Sequence, residues 1–136
     1  MTKGTSKAVL CVGNDPIGLN LRRASLKSSG WRLLSATSGH EGIILCGQES
    51  VDAVVLDLGE DGVEAALTTG ELKRLHPSLP IVVLVARGKK VTPDATRQAD
   101  VVVLKHHESW ILPDALAAVM GARRQIGPGE PRDTLQ

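Results

Sequence analysis

Five short apolar runs recur along the chain, at residues 8–12, 31–36, 53–56, 81–85 and 101–104. Most are rich in Val, Leu or Ile, and three are nearly unbroken instead of alternating with polar residues. Unbroken runs of this length predict strands covered on both faces. The segments between them are too long for hairpins and suit helical crossovers. Asn14-Asp15-Pro16 offers a capping residue and a first-turn proline, after which Ile17, Leu21 and Ala24 recur at helical spacing up to a stop at Gly30. Ser38 and Glu41 have the spacing of a capping box ahead of Ile43, Ile44 and Leu45. The third connection carries Ala65, Ala66, Leu67, Leu72 and Leu75. Gly70 weakens it by about 1 kcal/mol relative to alanine. The fourth, 87–98, holds Gly88 and Pro93 and predicts only a short helix. The last helix is expected from about Pro113, with Leu112, Leu116 and Val119, to Gly121.

This order predicts one doubly wound α/β domain with a five-stranded parallel sheet. It is expected over residues 6–122, with a short tail at 1–5 and a flexible one at 123–136, where Gly127-Pro128-Gly129 and Pro131 lie. In such sheets the functional site lies beyond the carboxyl ends of the strands. The residues to watch are therefore Gly13, Asn14 and Asp15, then Asp57, then Val85 and Ala86, then Lys105.

Composition narrows the classes. Apolar residues make up 42% and charged residues 23% of the chain, as in a globular protein. The net charge of +1 gives no reason to expect nucleic acid or anionic lipid as a partner. With no Phe or Tyr, most base-stacking platforms are missing too. Cys11 and Cys46 lie in apolar runs far apart and read as buried thiols in a reducing compartment. No apolar run approaches a membrane span, and residues 1–7 lack a signal peptide's apolar stretch, so a cytoplasmic location is expected.

Asp57 and Lys105 should emerge at the same edge of the sheet. One reading is a structural ion pair; the other is a nucleophilic carboxylate beside a cation that neutralises phosphoryl oxygens. At these residues the chain resembles the receiver domain of bacterial response regulators. The stretches that carry the likeness are Ala36-x-x-Gly39-x-Glu41-Gly42-Ile43, Asp52-Ala53-Val54-Val55-Leu56-Asp57-Leu58, the approach to the fourth strand from Leu72 to Pro80, and Ala99-Asp100-Val101-Val102-Val103-Leu104-Lys105. The resemblance implies a flavodoxin-like (βα)5 fold with strand order 2-1-3-4-5. It implies a phosphoryl group accepted from a histidine kinase or phosphotransfer protein on Asp57, with Lys105 holding a phosphoryl oxygen. It also implies a divalent cation and an output partner on the face built from the fourth and fifth helices and the fifth strand.

The sequence departs from that family at several positions. The acidic pair falls on Gly13 and Asn14, and the serine or threonine after the fourth strand falls on Val85. The switch aromatic falls on Val102, and the proline after the lysine falls on His106. Candidate Mg2+ ligands reduce to Asn14, Asp57 and the Gly59 carbonyl, with Asp15, Glu60 or Asp61 able to add an oxygen; Asp15 reads equally as a helix cap. Weak Mg2+ binding is expected, with Asp57 paired directly to Lys105 and a trans peptide before His106. Trp110 reads either as an anchor on the output face or as a lid over the core. Arg87, Lys89, Lys90 and Arg97 read as a solvated loop or as a lure for phosphate or an acidic partner. The four histidines read as surface residues.

A receiver-like signalling domain, not an enzyme, is the first expectation. It is expected to stand alone, without a DNA-binding output domain, or to be cut from a longer regulator. A pseudo-receiver that binds partners without phosphorylation is the alternative. A small-ligand or nucleotide-binding domain is the third, weakened by the lack of a phosphate-binding glycine motif.

Overall fold

The computed structural model describes residues 7–58, 63–86, 97–105 and 108–125, with the side chains of 108–110 and 122–125 excepted. Its strands are β1 (Ala8–Gly13), β2 (Arg32–Ala36), β3 (Ala53–Asp57), β4 (Ile81–Val85) and β5 (Val101–Leu104). Its helices are α1 (Pro16–Lys27), α2 (Gly39–Gln48), α3 (Val63–Leu75) and, after β5, α4 (Glu108–Gln125). The strands form one sheet in the order β2-β1-β3-β4-β5, every neighbouring pair parallel. This is the expected doubly wound architecture and strand order.

Alternate residues of the central strands feed two cores. Leu10, Val12, Val54, Leu56, Ile81 and Val83 pack with Cys46, Ala65 and Leu72 on the side of α2 and α3. Val9, Cys11, Val55, Val82, Leu84 and Val103 pack with Leu26, Leu112 and Leu116 on the side of α1 and α4. Both faces are covered, which is why the sequence runs are unbroken. Burial raises the Cys46 thiol pKa to about 11, as for an inert core thiol.

Two carboxylates latch the amino end of the sheet. The Ala8 N–H donates to Asp52 Oδ2 at 2.8 Å, and the Asp52 N–H returns a bond to the Ala8 carbonyl. Asp100 Oδ2 accepts from the Ile81 N–H at 2.7 Å and from Lys73 Nζ at 2.8 Å. These two aspartates of the recognised stretches are structural and lie at the opposite end of the strands from Asp57.

The start of α2 and the end of α1 follow the sequence closely. Ser38 accepts the Glu41 N–H, and Glu41 Oε1 accepts from the Thr37 N–H, one residue before the usual partner of a capping box. After α1, Gly30 has φ +89°, and bonds from Gly30 N–H to the Lys27 carbonyl and from Trp31 N–H to the Leu26 carbonyl close the turn.

The helix faces differ from expectation. Ile17 and Leu21 are exposed, and Gly18, Arg22 and Leu26 form the buried stripe of α1. In α3, Leu67 is exposed while Thr68 and Thr69 are buried. The last helix starts five residues before Pro113, which therefore lies inside it. Leu112 and Leu116, one turn apart, are both fully buried. Each such burial is worth about 1.5–3 kcal/mol, enough together to offset the ~3 kcal/mol a proline costs within a helix.

The expectations placed on Gly59, Glu60 and Asp61, on most of the 87–98 segment and on the peptide before His106 lie outside the described residues. So does the Trp110 side chain. No helix among the described residues is long and apolar enough to cross a membrane.

Candidate functional site

The carboxyl ends of β1 and β3 lie side by side, with Gly13 paired in register to Asp57. The approach is tight: a Cβ on Gly13 would stand 2.8 Å from the Asp57 carbonyl oxygen. Glycine is therefore required for this closeness, and a carboxylate side chain at position 13 would have to push β3 aside. Lys105, just past β5, brings Nζ to 3.0 Å from Asp57 Oδ2 and 3.6 Å from Asp15 Oδ2. The two residues singled out across the sequence thus meet at one rim.

A second cation is present that the sequence reading missed. Arg22 Nη2 lies 3.2 Å from the same Asp57 Oδ2, with its side chain only 2% exposed. Arg22 occupies the buried stripe of α1 between Gly18 and Leu26. A Cβ on Gly18 would stand 3.3 Å from Arg22 Nη1 and 2.7 Å from Asp15 Oδ2. The bare backbone at 18 therefore lets guanidinium and carboxylate approach. The available signal was this stripe of Gly18, Arg22 and Leu26 at four-residue spacing; it was overlooked because Ile17 and Leu21 offered a more apolar one.

Asp57, Asp15 and Lys105 border an open cavity of about 390 Å³. Asn14, Asp15, Thr37, Glu64 and Lys105 line it beside Asp57, with Leu84 and Ala86 on the apolar side. Glu64 also accepts the Gly39 N–H at 3.1 Å. Val85 is buried in the α2–α3 core and brings no hydroxyl to the pocket. Val102 is 43% exposed on β5. Asp15 occupies the N-cap position of α1 without a side-chain capping hydrogen bond. The Gly18 N–H, Lys105 and Arg22 hold its pKa below the ordinary aspartate value.

Burial pulls the Lys105 pKa down, but the Asp57 hydrogen bond and the charges of Asp57 and Asp15 outweigh it and hold the pKa above the ordinary 10.5. A raised folded-state pKa adds stability that is fully present below the unfolded value and is lost as pH climbs through the folded one. The stability difference between wild type and Lys105→Met is therefore expected to be constant through neutral pH and to shrink above pH 10.5. Urea titrations across that range check this; a gap that widened with pH would contradict it.

The donor set suits a divalent cation poorly. Mg2+ needs several oxygens in near-octahedral array. Gly13 offers no side chain, Asn14 only an amide, Asp15 faces Lys105, Glu64 is engaged by the Gly39 N–H, and the Asp57 oxygen already faces two cations. Among the described residues no cluster of three His, Cys, Asp or Glu could hold a metal. An ion beside Asp57 would also face the Arg22 charge, a repulsion of about 4 kcal/mol per unit charge at ~4 Å in a partly solvated site. Among the described residues, which exclude Gly59, Glu60 and Asp61, the donor set does not fit the metal that the resemblance implies.

The architecture has well-characterised counterparts. No protein-family model matches the chain. In sequence, it is 31% identical over 121 residues to the transcriptional regulatory protein GlrR of Escherichia coli, covering 88% of this chain and 27% of that protein. In structure, a CheY-like response regulator receiver domain from Methanospirillum hungatei superposes with a TM-score of 0.79 at 16% identity, covering 90% of this chain and all of that one. The chain folds as a receiver domain of the response regulators. A further receiver-fold relative is TrrA of Thermotoga maritima, solved with Mg2+ and BeF (TM-score 0.71, 22% identity, 83% of this chain and 98% of that one). It has also been solved with the histidine kinase ThkA. The chain spans about a quarter of the length of the curated regulators it matches.

Proposed function

We propose that this receiver domain accepts a phosphoryl group on Asp57 from a histidine kinase or phosphotransfer protein. The observation that carries the reading is the convergence of Lys105 and the buried Arg22 on Asp57 Oδ2, with Asp57 and Lys105 lining an open cavity. A carboxylate oxygen of Asp57 forms the bond to phosphorus and the phosphorus–nitrogen bond of the donor histidine breaks. The imidazole leaves with the electron pair and takes a proton from water. Lys105 neutralises charge on the transferred group and holds one of its oxygens. The event is stoichiometric signalling in the cytoplasm, not turnover of a substrate. Val102 and Leu104, both 43% exposed on β5, offer an apolar surface for an output protein.

Val85 favours a second reading. A receiver without a hydroxyl after β4 has lost one means of sensing a phosphoryl oxygen. It would then act as a pseudo-receiver that binds its partner regardless of phosphorylation. Incubation with acetyl phosphate followed by intact-mass measurement separates the two. The first reading expects one added phosphoryl group in the wild type and none in Asp57→Asn. No addition to the wild type, with Mg2+ or with chelator, selects the pseudo-receiver.

A further inference from the structure

We propose that Arg22 supplies the positive charge a phosphorylated Asp57 requires, so that this pocket takes its phosphoryl group without a divalent cation. The proposal rests on Asp57 being the phosphoacceptor and names a second residue that would touch the phosphoryl group.

Three observations carry it. The first is position: Arg22 reaches Asp57 Oδ2 at 3.2 Å from the interior of α1, a rigid element, with its side chain 2% exposed. A buried guanidinium is costly, and apolar residues elsewhere on the same helix show that leucine was available to fill such a site. The second is space. Gly13 and Gly18 are the two positions where a Cβ would crowd the Asp57 carbonyl, the Asp15 carboxylate or the guanidinium itself. Gly13 thus lets β1 close on Asp57, and Gly18 lets the arginine and Asp15 approach it from α1. The third is charge. A phosphoryl group carries between about one and a half and two negative charges near neutral pH. Arg22 and Lys105 meet it with two positive ones, both already beside the Asp57 carboxylate. A guanidinium is always charged and presents a planar fork of donors that matches phosphate oxygens.

With acetyl phosphate as donor, an Asp57 oxygen bonds to phosphorus, the bridging phosphorus–oxygen bond breaks, and acetate leaves with the electron pair. No proton or metal is consumed. Charge is conserved, and the dianionic product faces Arg22 and Lys105.

The test compares acetyl phosphate reactions of the full chain in Mg2+ and in excess chelator, read by intact mass. A second readout follows amide NMR shifts at Gly13, Arg22 and Lys105 on adding beryllofluoride in the same two buffers. Wild type is expected to reach the same occupancy in both buffers to within roughly twofold. In chelator, Arg22→Leu is expected to lose roughly tenfold, the scale of one charge-assisted hydrogen bond. Arg22→Lys, which keeps the charge but not the fork, should fall in between and guards against a leucine variant that fails to fold. Occupancy of wild type only in Mg2+, or full occupancy of a folded Arg22→Leu in chelator, overturns the role of Arg22 and leaves Asp57 as phosphoacceptor. No adduct of either reagent in either buffer overturns both readings together.

Discussion

Asp57→Ala is expected to destabilise the protein by about 3 kcal/mol, measured by urea denaturation at neutral pH. In a pocket of clustered carboxylates, deleting one relieves repulsion and stabilises the fold. Here the sign is reversed, because Asp57 carries two cations and one of them is almost wholly buried. Removing one partner of a buried pair typically costs 3–5 kcal/mol, since the other charge is left without its counterpart. The low end applies because Lys105 is 29% exposed and can turn to Asp15. Arg22→Leu is the informative contrast. It removes the buried cation together with its desolvation cost and leaves Asp57 with Lys105. Stability is expected to stay within about 1 kcal/mol of wild type. Equal losses from both changes would mean that the pair serves the fold alone; a more stable Asp57→Ala would mean that the cations do not bear on the carboxylate.

Gly39→Ala is expected to cost about 1–3 kcal/mol, the usual range for overpacking. A Cβ there would run into Thr68 Oγ1 and stand 3.2 Å from Thr68 Cβ. Rotating the hydroxyl away relieves only the first contact, so α2 and α3 must part. That movement would also stretch the bond from the Gly39 N–H to Glu64, one wall of the cavity. The control is Gly47→Ala in the same helix, where nothing lies within 4 Å of the added carbon. It should stabilise the protein by about 0.4–1 kcal/mol. The double change Gly39→Ala with Thr68→Ala should recover most of the loss, because the two residues are in direct contact. A neutral Gly39→Ala would show that the helices yield without cost.

The strands were legible in the sequence because burial on both faces leaves no place for polar residues in 53–56 or 81–85. Asp57 and Lys105 were legible because strand ends are where side chains leave the core. The helix faces were not. Hydrophobic spacing assumes that leucine goes inward and arginine outward. In α1 that assumption selected Ile17 and Leu21, yet the buried stripe is Gly18, Arg22 and Leu26. Arg22 could be buried because a carboxylate from a distant strand awaited it, and no local pattern records that. In α2 and α3, Gly39, Gly42, Thr68 and Thr69 are buried because small residues let the elements approach closely: a Cβ on Gly42 would come within 2.9 Å of Val12. Leu67 was left outside for the same reason. The proline of the last helix misled similarly, since the pull of Leu112 and Leu116 toward the core outweighs the local preference for a start at Pro113.

Asp52 and Asp100 clasp the strands at their amino ends, where neither touches the chemistry. A mutational history can therefore strip or exchange charges around position 57 while the far side of the sheet keeps the architecture in register. Such a division of labour makes the pocket a place where inheritance can experiment without the scaffold coming apart.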